Sequence, residues 1–324
     1  MREIDFVIPA YNEVDNLTDL TKNIVTCFEN IGVRNFNILL IENGSNDASS
    51  ELIEKLNQQD ERIIGIVLSR NFGPQGAIHA GLCHTNAEFV CIMDGDQQDP
   101  PKDAANMLML AKERNADVVY AVRASRQEKL IRKIGFKSFY RVWRLLSNVE
   151  VPLDAGEFAV MRSNVVSAIL SSPEVHRFNR GLRSWAGFKQ IPFSHHRPKR
   201  VAGEQQFNII KDTILGFQAV LSFSLMPLRF ILVIGLFLAL VSFLILTVNG
   251  IAILMNSFGY SKLFNFLPRG LISLNLIMLF FQGIVFIALG IIGEYVGRVY
   301  EQTKGRPTFV VRNIIGKLDV SKKS

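Results

Sequence analysis

Two stretches near the C-terminal end restrict what this chain can fold into. Phe230 to Ser261 contains no Asp, Glu, Lys or Arg, and neither does Gly270 to Gly293. Each exceeds the roughly 20 residues that cross the hydrocarbon of a bilayer as a helix. Buried helices of soluble proteins seldom run so far without a charge, so two transmembrane helices are expected, at about 229–255 and 270–294. Lys199, Arg200, Lys211 and Arg229 precede the first run. Arg298, Lys304, Arg306 and Arg312 follow the second, and only Lys262 and Arg269 lie between. That asymmetry predicts a multi-pass protein of the plasma (inner) membrane with both termini cytoplasmic. It also accounts for a net charge of +7, from 36 Lys+Arg against 29 Asp+Glu, without a nucleic-acid partner. No arginine–aromatic pattern suggests one either. Met1-Arg2-Glu3-Ile4-Asp5 leads directly into a strand, so no signal peptide is expected. Cys27, Cys83 and Cys91 have no metal-ligand spacing and read as small apolar residues in a reducing compartment.

The first two thirds read differently. Strands are expected over Ile4–Ile8, Phe36–Ile41, Ile63–Leu68, Phe89–Met93 and Asp117–Ala121, with helices between them. Asn16 is the expected cap of the first helix. Short alternating strands and helices predict an α/β fold with a mostly parallel, doubly wound sheet. Ligands bind such sheets at the carboxyl ends of the strands. The polar clusters all fall there: Tyr11/Glu13, Glu42/Asn43, Arg70/Asn71, Asp94/Asp96, and Arg123 with Arg126. Loops also collect Asn, Asp and Gly for their turn chemistry alone, so the chemistry of each cluster has to be weighed.

The Asp94 cluster carries most of that chemistry. Phe89 to Met93 is an apolar run that meets Asp94-Gly95-Asp96-Gln97-Gln98-Asp99 and then Pro100-Pro101, which forbid its continuation. Two carboxylates two residues apart at a strand's end can grip a hard divalent cation such as Mg²⁺ or Mn²⁺. Asp99 reads as a turn or helix-capping residue. Lys129–Ser147 is an amphipathic, basic helix, facing either the sheet or lipid. Phe207–Phe223 carries a helical stripe suited to the membrane interface or to packing on the globular domain. His79 is expected to pack or cap within its helix, His195 and His196 to end a strand, and Trp185 to join the core.

Taken together, Val7-Ile8-Pro9-Ala10-Tyr11-Asn12-Glu13, Gly44-Ser45-Asn46-Asp47, Ser69-Arg70-Asn71-Phe72-Gly73, Met93 to Pro101, Arg298-Val299-Tyr300-Glu301 and Gly305-Arg306-Pro307 resemble family 2 glycosyltransferases. The resemblance covers nearly the whole chain and is nearest the polyprenyl-phosphate branch, which includes bactoprenol glucosyltransferases and dolichol-phosphate mannose synthases. It implies a Rossmann-like GT-A domain over 1–203, cytoplasmic and catalytic. An interfacial amphipathic segment (204–227), two transmembrane helices (within 228–297) and a basic cytoplasmic tail (298–324) would follow. The implied reaction is inverting transfer of a hexose from a nucleotide-sugar donor, UDP-glucose by first choice, to a polyprenyl phosphate in the membrane lipid. By similarity, Pro9, Tyr11 and Glu13 line the nucleoside pocket, with Glu42 and Asn43 near the base. Asp94, Asp96 and Gln98 match the metal motif for Mg²⁺ or Mn²⁺. Arg123, Arg126, Arg132 and Lys133 fall where the family places cations for the acceptor phosphate, and Arg200 where one meets the donor diphosphate. The family also implies a homo-oligomer, a tetramer.

Three departures from the family pattern stand out. Glu42-Asn43-Gly44-Ser45 replaces the usual Asp-Asp-Gly-Ser, which alters the end of the pocket that reads the nucleotide. Gly156-Glu157-Phe158 replaces Gly-Asp-Phe and lengthens that carboxylate by one methylene. Glu204-Gln205-Gln206 stands where Ser-Lys is usual, so one cation is missing. A phosphate nucleophile is already largely anionic at neutral pH, so the reaction needs charge neutralisation and in-line placement more than a strong base. Glu157 is then expected to contact sugar hydroxyls or tune an arginine. Other donors within the branch (another UDP-hexose, or GDP-mannose), a polysaccharide acceptor, and a non-catalytic lipid-sugar binding or translocation subunit are the competing readings.

Overall fold

The computed structural model describes residues 2–123, 155–195 and 271–318, together with helical positions between 231 and 251. Two compact units emerge: residues 1–222 with 305–324, and residues 223–304. The first is an α/β unit around one eight-stranded sheet. Its elements are β1 (Arg2–Ala10), α1 (Val14–Asn30), β2 (Phe36–Glu42), α2 (Ser49–Gln59), β3 (Ile63–Leu68), α3 (Gly73–Cys83), β4 (Ala87–Ile92), α4 (Pro101–Glu113), β5 (Val118–Arg123), β6 (Ala155–Arg162), α5 (Ser163–Leu170), α6 (Asn179–Trp185), β7 (Gln190–His195) and β8 (Val311–Ile315).

The strand order is β7-β5-β6-β4-β1-β2-β3-β8. β4, β1, β2 and β3 run parallel, as the alternation of strand and helix predicts. β7 also runs parallel to β5, and two strands depart from the expected parallel order. β6 lies antiparallel between β4 and β5, and β8 lies antiparallel on β3. β5 ends at the carboxyl edge, and β6 enters at that same edge, with Val122 opposite Ala155. A strand that enters where its neighbour leaves runs antiparallel to it and needs no crossover helix across the sheet. The fold is therefore a GT-A-like α/β unit with a mixed sheet.

The core explains the central strands. Phe6, Ile8, Ile38, Leu40, Phe89 and Cys91 are buried with Leu17, Leu20, Ile24 and Phe28, which recur along one face of α1. Phe6 meets Phe28 edge-on at 4.8 Å. On the other face α3 packs so closely that a Cβ at Gly81 would stand 2.3 Å from Val7 Cγ1. Helix α1 begins differently from the expectation: Glu13 is its N-cap, and Asn16 lies inside it, donating to Glu13 Oε2 at 2.6 Å. The turn after β1 also starts later, because Pro9 and Ala10 still pair with Ile41 and Glu42.

The second unit contains α7 (Leu271–Thr303). Within it, Phe281–Thr303 is long and apolar enough to cross a membrane, the one such helix among the described residues. Phe286, Ile287, Leu289 and Val296 are exposed along it. The first expected span, 229–255, lies largely outside the described residues.

Candidate active site

One edge of the sheet gathers the polar loops. It is formed by the carboxyl ends of β1 to β5 and β7 and by the amino ends of β6 and β8. A mixed sheet thus adds β6 to the edge where a parallel sheet binds its ligand.

Contacts between loops join these pieces. Asn12, with φ +56, donates its N–H to Ser45 Oγ at 3.1 Å and accepts the Asn46 N–H at 3.0 Å. Tyr11 beside it is exposed. Glu42 is buried, and its carboxylate accepts the Ser45 N–H. Asn43 is buried as well. Its Oδ1 accepts the Phe72 N–H at 2.9 Å, and its Nδ2 donates to Asn71 Oδ1 and the Gly73 carbonyl, both at 3.2 Å. Both of its donors are therefore taken by the loop after β3. Gly44, at φ +70, is required here, because a Cβ would lie 2.5 Å from the Arg70 carbonyl carbon.

The Asp94 turn sits beside β1. A Cβ at Gly95 would meet the Pro9 carbonyl at 3.1 Å and Glu13 Cγ at 3.7 Å, so the turn presses against both residues. Asp96 accepts the Gln98 N–H at 3.1 Å, and Gln97 adopts φ +59 to close the turn. Asp99 does not cap α4, whose N-cap is Pro100. Its Oδ2 instead accepts the Asp94 N–H at 2.9 Å. Asp94, Asp96 and Gln98, the residues expected to bind Mg²⁺ or Mn²⁺, lie on this one short turn, and their side chains carry the oxygen donors a small hard cation prefers. Among the described residues no group of three His, Cys, Asp or Glu gathers as a metal cage.

Glu157 lies inside β6. It lies two residues beyond the Ile92–Ala159 pair, which brings it level with residue 94 along the edge. Its Oε1 accepts from Gln75 Nε2 at 2.9 Å and lies 3.3 Å from Arg180 Nε. Gln75 Oε1 in turn accepts the Asn179 N–H at 2.8 Å. Arg183 is buried below, with its guanidinium over the Tyr120 ring. Burial pushes Arg183 down to about 10, with the Glu157 carboxylate opposing that shift, so it stays cationic at neutral pH.

Arg123 is the last residue of β5, in register with His195. Arg126, Arg132, Lys133 and Arg200 lie outside the described residues, as does the 129–147 helix. Trp185 is not core: it ends α6 and is 60% exposed. The sequence reading missed Gln75, Arg180, Arg183 and the contacts of His195. Gln75 had a signal, since it lies in the first turn of a helix that follows a parallel strand, where α/β sites are built. His195 had none, because its neighbours Asp99 and Asp103 lie just before and within α4, far away in the chain.

The family model for glycosyl transferase family 2 matches residues 5–170. Three relatives match almost end to end. An uncharacterized glycosyltransferase of Synechocystis sp. is 34% identical over 320 residues, covering 97% of this chain and 96% of its own. The uncharacterized glycosyltransferase YkcC of Bacillus subtilis is 33% identical over 315 residues, covering 97% and 94%. A bactoprenol glucosyl transferase of Shigella phage SfX is 33% identical over 313 residues, covering 96% and 99%. With the motifs, the mixed sheet and these end-to-end matches in agreement, the chain belongs to glycosyltransferase family 2.

Proposed function

We propose that the protein transfers a hexose, glucose from UDP-glucose by first choice, to undecaprenyl or another polyprenyl phosphate at the cytoplasmic membrane face, for surface glycan modification. The observation that carries this reading is the gathering of Glu13, Glu42, Asp94, Asp96 and Glu157 at one sheet edge, in a chain that matches a bactoprenol glucosyl transferase over 96% of its length. The exposed apolar helix 281–303 supports a membrane-borne acceptor.

In this reading the nucleoside rests against Pro9, Tyr11 and Glu13. Asp94, Asp96 and Gln98 would hold Mg²⁺ or Mn²⁺, which when bound acts as a Lewis acid on the leaving diphosphate. Glu157, fixed by Gln75 and Arg180, orients the hexose through its hydroxyls. Arg123, Arg126, Arg132 and Lys133 offset the acceptor phosphate's charge, and Arg200 that of the donor diphosphate. Collecting two anions in line is the main work of the site, and cations already placed for it would do so with little reorganisation.

The test is transfer of radiolabelled sugar to undecaprenyl phosphate in detergent, with Mg²⁺ or Mn²⁺, from UDP-glucose, other UDP-hexoses and GDP-mannose in parallel. Labelled lipid is expected, most from UDP-glucose. No labelled lipid from any donor overturns the reading. Asp96→Ala should lower turnover at least a hundredfold, since a Lewis-acid contact contributes several kcal/mol, while the protein still inserts into membranes.

A further inference from the structure

Histidine 195 is buried at the end of β7, 3% exposed. Its ring stands between two carboxylates of the segment that opens α4. Nδ1 lies 2.8 Å from Asp103 Oδ2, and Nε2 lies 3.8 Å from Asp99 Oδ1. Nε2 has no hydrogen-bond partner, so Asp99 is the polar group it faces. The ring meets Phe158 edge-on at 5.5 Å, next to Glu157. The other oxygen of Asp99 holds the Asp94 N–H. A series of polar neighbours therefore runs from Asp103 through His195 and, across a 3.8 Å approach, Asp99 to the backbone of the Asp94 turn.

We propose that His195 is a positioning residue, acting through Asp99, that sets the Asp94–Asp96 turn for divalent-ion binding. The proposal rests on the reading of that turn as the ion site. Asp99 and Asp103 both crowd the buried start of α4, and the imidazole keeps them apart and points Asp99 Oδ2 at the Asp94 N–H. Without the ring, the group that separates Asp99 from the like-charged Asp103 is gone. The grip of Asp99 on Asp94 then loosens, and the two ion-binding carboxylates lose their common orientation. Groups that orient first-sphere ligands typically contribute 10–100-fold to metal affinity.

The experiment is titration of Mn²⁺ into the full-length, UDP-loaded protein in detergent by calorimetry, for the wild type, His195→Phe, His195→Asn and His195→Gln. Phe keeps the ring packing on Phe158 but neither nitrogen. Asn keeps a polar group for Asp103 but cannot reach Asp99, whereas Gln reaches Asp99. The expected result is Mn²⁺ affinity about tenfold weaker in His195→Phe and His195→Asn and near wild type in His195→Gln, with UDP affinity in the absence of metal unchanged. Raising Mn²⁺ should return the turnover of His195→Phe toward wild type, which a merely structural lesion would not allow. If His195→Phe does not fold, His195→Asn is read against the same expectation. Wild-type Mn²⁺ affinity in the Phe or Asn variant, or parallel loss of UDP and Mn²⁺ binding, overturns the proposal. Absence of Mn²⁺ binding in the wild type overturns the ion-site reading first, and this one with it.

Discussion

Asn43 shows what single residues contribute and how much of that a sequence reveals. The sequence marks Glu42-Asn43 as an unusual pair at the nucleotide end of the pocket, and the natural expectation is a changed contact to base or ribose. In the fold, Asn43 has spent both amide donors on Asn71 and Gly73 and accepts from Phe72. Asp at this position would keep the contact to the Phe72 N–H but turn an anionic oxygen toward two acceptors. An unmet buried acceptor of this kind costs about 1–3 kcal/mol. Asn43→Asp should therefore lower the unfolding midpoint in detergent at neutral pH and weaken UDP binding through the disturbed 69–73 loop. A midpoint equal to wild type would show that the strut carries no load. The role was invisible in sequence because the partners lie some thirty residues away, and only the parallel pairing of β2 and β3 brings the two loops together. The position of Asp94 and Asp96 just past a strand's end was visible because strand, turn and prolines are contiguous.

At the level of elements, the parallel centre of the sheet could be read from the alternation of strands and helices, but its two flanks could not. β6 and β8 run against their neighbours, and nothing in their own residue pattern announces that direction. β8 is the clearer case, because residues 311–315 read as part of a basic tail yet close the β3 edge. Ser69 donates to the Val310 carbonyl at 2.9 Å, and Ile315 packs where a Cβ on Gly65 would stand 3.0 Å from it. Covering an edge strand removes a template for aggregation. His79 on α3 is part of the same docking: its Nδ1 meets Thr308 Oγ1, and Phe309 lies edge-on to its ring at 5.3 Å. Burial, with the Arg177 charge adding to it, lowers His79 from 6.5 to about 4. A histidine depressed in the fold binds its proton more readily once unfolded. Stability from this residue is thus present above pH 6.5 and declines as pH falls toward 4. Unfolding midpoints measured across that window should drop for the wild type and drop less for His79→Gln, which keeps a polar group for Thr308 but does not titrate. Equal slopes would remove His79 from the acid sensitivity.

For the whole molecule, the decisive relation is between the ends of the chain. β1 begins at Arg2 and β8 ends at Ile315, and both belong to one sheet. One sheet lies on one side of a membrane, because a spanning segment must satisfy its own backbone hydrogen bonds and an open sheet cannot. The chain between Ser222 and Gly305 therefore crosses an even number of times, if it crosses at all. A single crossing by Phe281–Thr303 would strand β8 on the side opposite β3. Crossing by that helix thus requires a second crossing upstream, and the uncharged run from Phe230 to Ser261 is long enough to supply it. Lys262 and Arg269 would then lie on the outer face, with the denser basic flanks inside, in line with the charge asymmetry. The prediction is read with reporter fusions in the intact chain. A fluorescent protein joined after Ser324 should be bright, which requires a cytoplasmic location. Alkaline phosphatase inserted between Lys262 and Arg269 should be active, which requires an external one. An inactive phosphatase together with a bright C-terminal reporter would mean that neither run crosses and that the apolar helices lie on the membrane surface. A dark C-terminal reporter with active phosphatase would mean one crossing, and would contradict the pairing of β8 with β3.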